Sequence, residues 1–280
     1  MGVRIVTDSS CDLPEDLVEQ HRIEIVPLTI RFGHEELIDR KELSTAEFWD
    51  RVRNSDLLPE TAAPSAGAFE EAFRRLVTEG ADEIVCVNIS SQLSATMQSA
   101  KVAAEAVSGE CRVEVVDSRS VSMGLGNLCV AAARLADDGA RTNAILADLA
   151  DRRDRTRLFG TLDTLDFLRK GGRIGAAQHL LGSVLSIKPL IEIDGTVTEG
   201  GKVRTRSKAL RVLAERVRDA GPLEALAVPH SQATDIDDFL AVLAEAVPGV
   251  DPLVCQLGPV VGTHGGPGVI GVTFQVVRSG

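Results

Sequence analysis

The side chains able to do chemistry in this chain are mostly hydroxyls. Asp8, Ser9 and Ser10 follow one apolar run, Asn88 to Thr96 (NISSQLSAT) a second, and Asp117 to Ser120 (DSRS) a third. A Ser, Thr or Asp where a helix begins most often only caps it by accepting a backbone N–H. Three such loops are more than capping alone suggests, and hydroxyls beside free helix N-terminal amides suit a carboxylate or phosphate. Thr61 and Ser65 in PETAAPS, and Ser91, Ser94 and Thr96 in SSQLSAT, stay open to both readings, helix start or ligand contact.

His264 stands in GPVVGTHGGPG, flanked by Gly262, Gly265, Gly266 and Gly268. The expectation is a loop between two strands, with glycines that let a ligand approach closely. His21, His34, His179 and His230 form no HxH or HExxH spacing and no cysteine lies near them, so no metal site is expected. GLG at Gly124 to Gly126 lacks the rest of a dinucleotide fingerprint, and neither a GK[ST] phosphate loop nor a GxSxG elbow is present. Asp8, Asp117 and His264 would be the candidates if the chain were a self-sufficient acyl or phosphoryl transferase, and the other alternative is a lipid-containing regulatory protein whose basic clusters bind another protein. Two basic clusters, RKGGR (Arg169 to Arg173) and KVRTRSK (Lys202 to Lys208), are either solvated turns or docking surfaces for an acidic partner or an anionic head group.

The elements that must position these residues alternate. Val3 to Val6, EIVCVN and RVEVVD read as buried strands, each feeding a hydroxyl-rich loop and then a helix, which implies a parallel sheet with ligands beyond the carboxyl ends of its strands. Asp12 with Pro14 marks one helix start, Ser44 with Glu47 a capping box, and Gly80 a helix end. Beyond about Gly160 the texture changes: KPLIEIDG and GTVTEGGKV read as a hairpin around Asp194-Gly195, followed by three more strands. The division expected is 1–160 and 161–280.

The whole chain has 280 residues, 44% of them hydrophobic and 25% charged, enough for two cores. Its formal net charge of −11 argues against nucleic acid as a main partner. The five cysteines are an odd number without CxxC spacing, which fits a reducing compartment. No segment reaches the roughly 18 apolar residues of a membrane span and the N-terminus lacks a signal-peptide pattern, so a cytoplasmic location is expected.

In order along the chain, TDSSCDLP (Thr7 to Pro14), TAAPS (Thr61 to Ser65), ISSQLSAT (Ile89 to Thr96), VDS (Val116 to Ser118), FLRKGGRIG (Phe167 to Gly175), KPLI (Lys188 to Ile191), KVRTRSKA (Lys202 to Ala209) and GTHGGPG (Gly262 to Gly268) are similar to motifs of the DegV family. These are bacterial fatty-acid-binding proteins acting as FakB-type subunits of fatty acid kinase. The chain departs from the family in having TAAPS for TSQPS and Ala95 in place of a glycine. The resemblance implies an α/β fold of two domains: an N-terminal three-layer α/β/α domain with a mainly parallel sheet, and a C-terminal two-layer α/β domain with a mixed sheet. It implies a long-chain fatty acid whose carboxylate is held by Thr61, Ser94 and His264, with Ser91 and Thr96 close behind and Arg169 near the same opening. No cofactor is implied beyond that ligand. A separate ATP-dependent kinase subunit would make the acyl phosphate, with Arg173, Lys202, Arg204 and Arg206 as docking candidates and room for transient membrane contact.

Overall fold

The computed structural model describes residues 2–55, 57–180 and 187–278. Its strands are β1 (Val3–Asp8), β2 (Glu24–Val26), β3 (Thr29–Phe32), β4 (Glu35–Ile38), β5 (Glu60–Ala62), β6 (Glu83–Asn88), β7 (Arg112–Asp117), β8 (Thr156–Thr161), β9 (Lys188–Asp194), β10 (Thr196–Val203), β11 (Leu223–His230), β12 (Leu253–Gln256) and β13 (Ile270–Val276). The helices are α1 (Glu15–Gln20), α2 (Thr45–Asn54), α3 (Ala66–Thr78), α4 (Thr96–Ala106), α5 (Met123–Asp137), α6 (Thr142–Arg155), α7 (Asp166–Lys170), α8 (Arg206–Asp219), α9 (Ile236–Ala246) and α10 (Pro259–Gly265).

The three strands that feed hydroxyl-rich loops lie in one parallel sheet of order β2-β1-β6-β7. Successive side chains of a strand point to opposite faces. Ile5 accordingly enters one core with α5 and α6, while Val6 enters another with α3 and α4. The N-terminal part is therefore a three-layer α/β/α sandwich. The second sheet, of order β10-β9-β8-β13-β11-β12, is mixed: β12 runs parallel to β11 and the other neighbours are antiparallel. Helices α8 and α9 cover one of its faces through Leu213, Phe239 and Leu243 against Val228, Val272 and Phe274. Its other face turns toward the N-terminal layers, where Leu158 and Ala227 share a core with Leu125 and Leu128. Helix α5 lies between the two sheets, which is why its sequence is apolar almost all round and nine of its residues are buried.

A small antiparallel sheet, β4-β3-β5, sets Thr61 opposite Ile30. The expected division at Gly160 falls inside β8, which pairs with β13 along its length. We place the division between Arg155 and Thr156 instead, where α6 ends.

Several local expectations resolve cleanly. Ser44 caps α2 and Ser65 caps α3, each accepting the N–H three residues on. The hairpin turn carries Gly195 at φ 74°. Asp12 does not cap α1: it sits in the left-handed region at φ 50° and accepts the Gly258 N–H at 2.9 Å. GPVVGTHG is not a loop between strands but a helix with Pro259 at its first position, so His264 stands in the last turn of α10.

Candidate ligand-binding site

Between the loops at the carboxyl ends of the parallel strands and the uncovered face of the mixed sheet lies a cavity. It leaves about 110 Å³ in which the centre of a water molecule fits. Among the described residues that line it, Thr61, Ser94, Ser122, Arg173 and His264 carry polar side chains, and all the others are apolar or glycine. Three of the five, Thr61, Ser94 and His264, were singled out by sequence and are separated by long stretches of it.

Close packing fixes the histidine. A Cβ on Gly262 would lie 2.7 Å from both the Phe48 and the Trp49 ring, so this glycine lets α10 press onto α2. Trp49 Nε1 then donates to the Leu257 carbonyl at 3.1 Å and holds the start of α10. On the other side a Cβ on Gly171 would stand 2.3 Å from His264 Nδ1. One use of the glycine pair in RKGGR is thus to make room for the imidazole.

His264 Nε2 and Thr61 Oγ1 are 2.9 Å apart in a hydrogen bond, and since Ser65 has taken the capping role, Thr61 is free for it. His264 Nδ1 is buried and has no hydrogen-bond partner. Burial, with the Arg173 guanidinium alongside, lowers the His264 pKa to about 4. At neutral pH the ring is uncharged and serves as one donor and one acceptor. Ser94 Oγ hydrogen-bonds Thr96 Oγ1 at 2.8 Å.

Other expected contacts fall differently. Thr96 is fully buried and does not line the cavity, so it positions Ser94. Ser91 is exposed and donates to Asp117, away from the cavity. Arg169 is exposed and paired with Asp166 at 3.0 Å. The guanidinium at the opening is that of Arg173, expected only as a docking residue. It donates to the carbonyls of Leu93 at 3.2 Å and Gly171 at 2.6 Å, and forms no ion pair with a carboxylate among the described residues. The one cation expected at the opening is thus Arg173 in place of Arg169, beside the hydroxyls and the imidazole. Arg206 is held by Asp235 at 2.8 Å, tying the start of α8 to that of α9, while Lys202 and Arg204 are exposed.

Ser122, at the start of α5, was not singled out by sequence. It is buried, with φ 54°, and its only signal was membership of a hydroxyl-rich stretch.

Thr61, Arg173 and His264 also line a second, more polar pocket with Glu60, Phe167 and Lys170. These three side chains form the wall between cavity and surface. A carboxylate or phosphate held there would receive hydroxyl and guanidinium donors at one end of an apolar chamber.

The family description "Uncharacterised protein, DegV family" matches residues 2–276. The chain belongs to the DegV family. A DegV domain-containing protein of Streptomyces coelicolor is 40% identical over 279 residues, 98% of each chain. Among solved structures, a fatty-acid-binding DegV protein of Thermus thermophilus superposes with a TM-score of 0.90 at 32% identity, over 99% of this chain and 100% of that one. DegV of Bacillus subtilis, described as a fatty acid binding protein, gives 0.86 at 28% identity over 99% of each. A stearic-acid-binding protein of Eubacterium ventriosum gives 0.89 at 26% over 98% of each.

No group of three or more His, Cys, Asp or Glu able to hold a metal occurs among the described residues. Among them, too, no helix is long and apolar enough to cross a membrane.

Proposed function

We propose that this DegV protein binds a long-chain fatty acid in the cytoplasm, tail in the apolar cavity and carboxylate at Thr61, Ser94, Arg173 and His264. The observation that carries this reading is the distribution of polarity: an apolar chamber whose polar side chains gather largely at the wall facing solvent. Burying roughly a dozen methylenes contributes on the order of 10 kcal/mol before ordering costs. Each hydrogen bond to the charged head adds about 1.5 to 3 kcal/mol. The tail supplies most of the affinity and the polar wall sets orientation.

That orientation suits a carrier. The head group faces the second pocket, which another protein can reach, and an ATP-dependent kinase subunit docking there would bring its nucleotide to the acid. The carboxylate oxygen then attacks the γ-phosphorus, ADP leaves, and an acyl phosphate forms. Lys202 and Arg204 stay in this proposal as docking residues, because both are exposed and neither is in an ion pair among the described residues.

A self-sufficient transferase is disfavoured by what its candidate carboxylates do. Asp8 is fully buried and accepts from Ser10, Asn88 and Ile89, while Asp117 accepts from Ser91 and Arg119. Neither lines the cavity.

Mass spectrometry of an organic extract of the purified protein tests the proposal, with about one long-chain fatty acid per chain expected. A preparation that carries none and binds none when it is added refutes it. ATP-dependent acyl phosphate formation by the isolated chain would refute the carrier role.

A further inference from the structure

The cavity contains a pair of glycines that no positive φ requires, and at one of them, Gly160, the protein's own packing leaves room for a side chain. Gly160 in β8 and Gly271 in β13 stand opposite each other across the antiparallel pair, both are buried, and both line the cavity. Glycine weakens a strand interior, since it loses more freedom on folding and packs no side chain. It is retained where φ must be positive or where something approaches closely. Neither residue is among those with positive φ. A Cβ on Gly160 would meet Ile270 O at 3.6 Å, Ile191 Cγ1 at 3.7 Å and Gly271 Cα at 3.9 Å, all ordinary contacts. At Gly271 the nearest atom would be Pro229 Cγ at 3.2 Å, which is tight but is the rim of a side chain.

The protein has room for a methyl group at Gly160, so the close approach must come from the cavity side. Leu158, two residues before it in β8, and Leu162, just beyond the end of that strand, both line the cavity. Gly160 is a gap in that row, and Gly271 widens it.

Resting on the fatty-acid reading of the cavity, we infer that the Gly160–Gly271 gap is the seat of the distal acyl chain and sets the longest tail this protein accepts. A side chain added at Gly160 occupies the path of the tail without touching the polar wall. Selection then acts on tail length, and head-group binding is unchanged.

The test uses the full chain, stripped of lipid and offered an equimolar mixture of dodecanoic, tetradecanoic, hexadecanoic and octadecanoic acids, with the retained acids measured by mass spectrometry. In Gly160→Val the retention of octadecanoic relative to dodecanoic acid is expected to fall at least about tenfold, with Gly160→Ala intermediate. The thermal midpoint of the lipid-free variants should equal or exceed that of the parent, because Val and Ala suit a strand better than Gly. Only the upward shift caused by long acids should shrink.

An unchanged length distribution overturns the inference. So does equal loss of every acid together with a lowered lipid-free midpoint, which would mark a damaged strand. If Gly160→Val does not fold, Gly160→Ala, whose added methyl meets only ordinary contacts, decides between these outcomes. Failure of the parent protein to retain any acid overturns the fatty-acid reading itself, before any variant is compared.

Discussion

Two regions of this molecule carry nearly the same residue types and use them in opposite ways. The loop from Asp8 to Asp12 turns its polar atoms on the protein. Asp8 accepts from the Ser10 and Ile89 amides, the Ser10 hydroxyl and the Asn88 amide, Ser9 accepts from the Leu28 N–H, and Asp12 accepts from Gly258. It is a hub joining the loops after β1 and β6 to the start of α10. At the other end of α10, Thr61, Arg173 and His264 face an open chamber, and His264 Nδ1 is left without a partner. A hydroxyl or carboxylate whose capacity is filled by backbone holds structure, and one left open to a cavity can hold ligand.

The largest expected effect lies in the hub. Asp8→Ala leaves four buried donors without their acceptor and should cost about 3 kcal/mol of unfolding free energy in chemical denaturation. At the polar wall the cost should appear in binding instead. His264→Ala or Thr61→Ala should weaken fatty-acid binding about tenfold to a hundredfold by titration, while stability falls by less than about 1 kcal/mol. A His264→Ala variant that unfolded as easily as Asp8→Ala yet bound lipid normally would break the contrast between the two regions.

The pH dependence of stability separates them by sign. His264, whose folded pKa of about 4 lies below the ordinary 6.5, contributes stability that is complete above pH 6.5 and lost as pH falls toward 4. Burial pushes Asp12 up to about 7 and Asp39 up to about 6 from 3.8. Their contribution is therefore complete at low pH and lost as pH rises through 6 to 7. Lowering the pH from 7 to about 5 should stabilise His264→Gln relative to the parent by on the order of 1 kcal/mol, and destabilise Asp12→Asn relative to it. Denaturation curves at the two pH values check both signs, and the same sign in both variants would sink the assignment.

The smallest effect is expected at the exposed end of β10. Replacing Lys202 and Arg204 together by Glu should change stability by no more than about 0.5 kcal/mol and leave lipid content unaltered. Acyl phosphate formation with the kinase subunit should fall, and an undiminished rate would remove these residues from the docking surface.

The alternation of β-branched runs with capped helices, the hairpin glycine and the apolar helix α5 were legible in the sequence because each rests on local periodicity or turn chemistry. Thr61, Ser94 and His264 were singled out there too, through motifs whose order along the chain carries the DegV resemblance, and the structure lines the cavity with all three. The helix at Pro259–Gly265 was not legible: glycines read locally as loop, and only the Phe48 and Trp49 rings packed against Gly262 show why a helix needs one there. Ser91, Thr96 and Arg169 stood within the right motifs, but each side chain is taken by a protein partner, Ser91 by the distant Asp117 and Thr96 and Arg169 by their near neighbours Ser94 and Asp166, and a motif does not say which way a side chain turns.

By itself, then, the sequence determined which elements form, which loops carry hydroxyls, and which family the ordered motifs belong to. The tertiary structure decided which of those hydroxyls are filled by backbone and which face the chamber, replaced Arg169 by Arg173 at its opening, and left a gap at Gly160 and Gly271. Periodicity along a chain encodes local geometry, whereas the emptiness of a cavity depends on atoms contributed by both sheets at once.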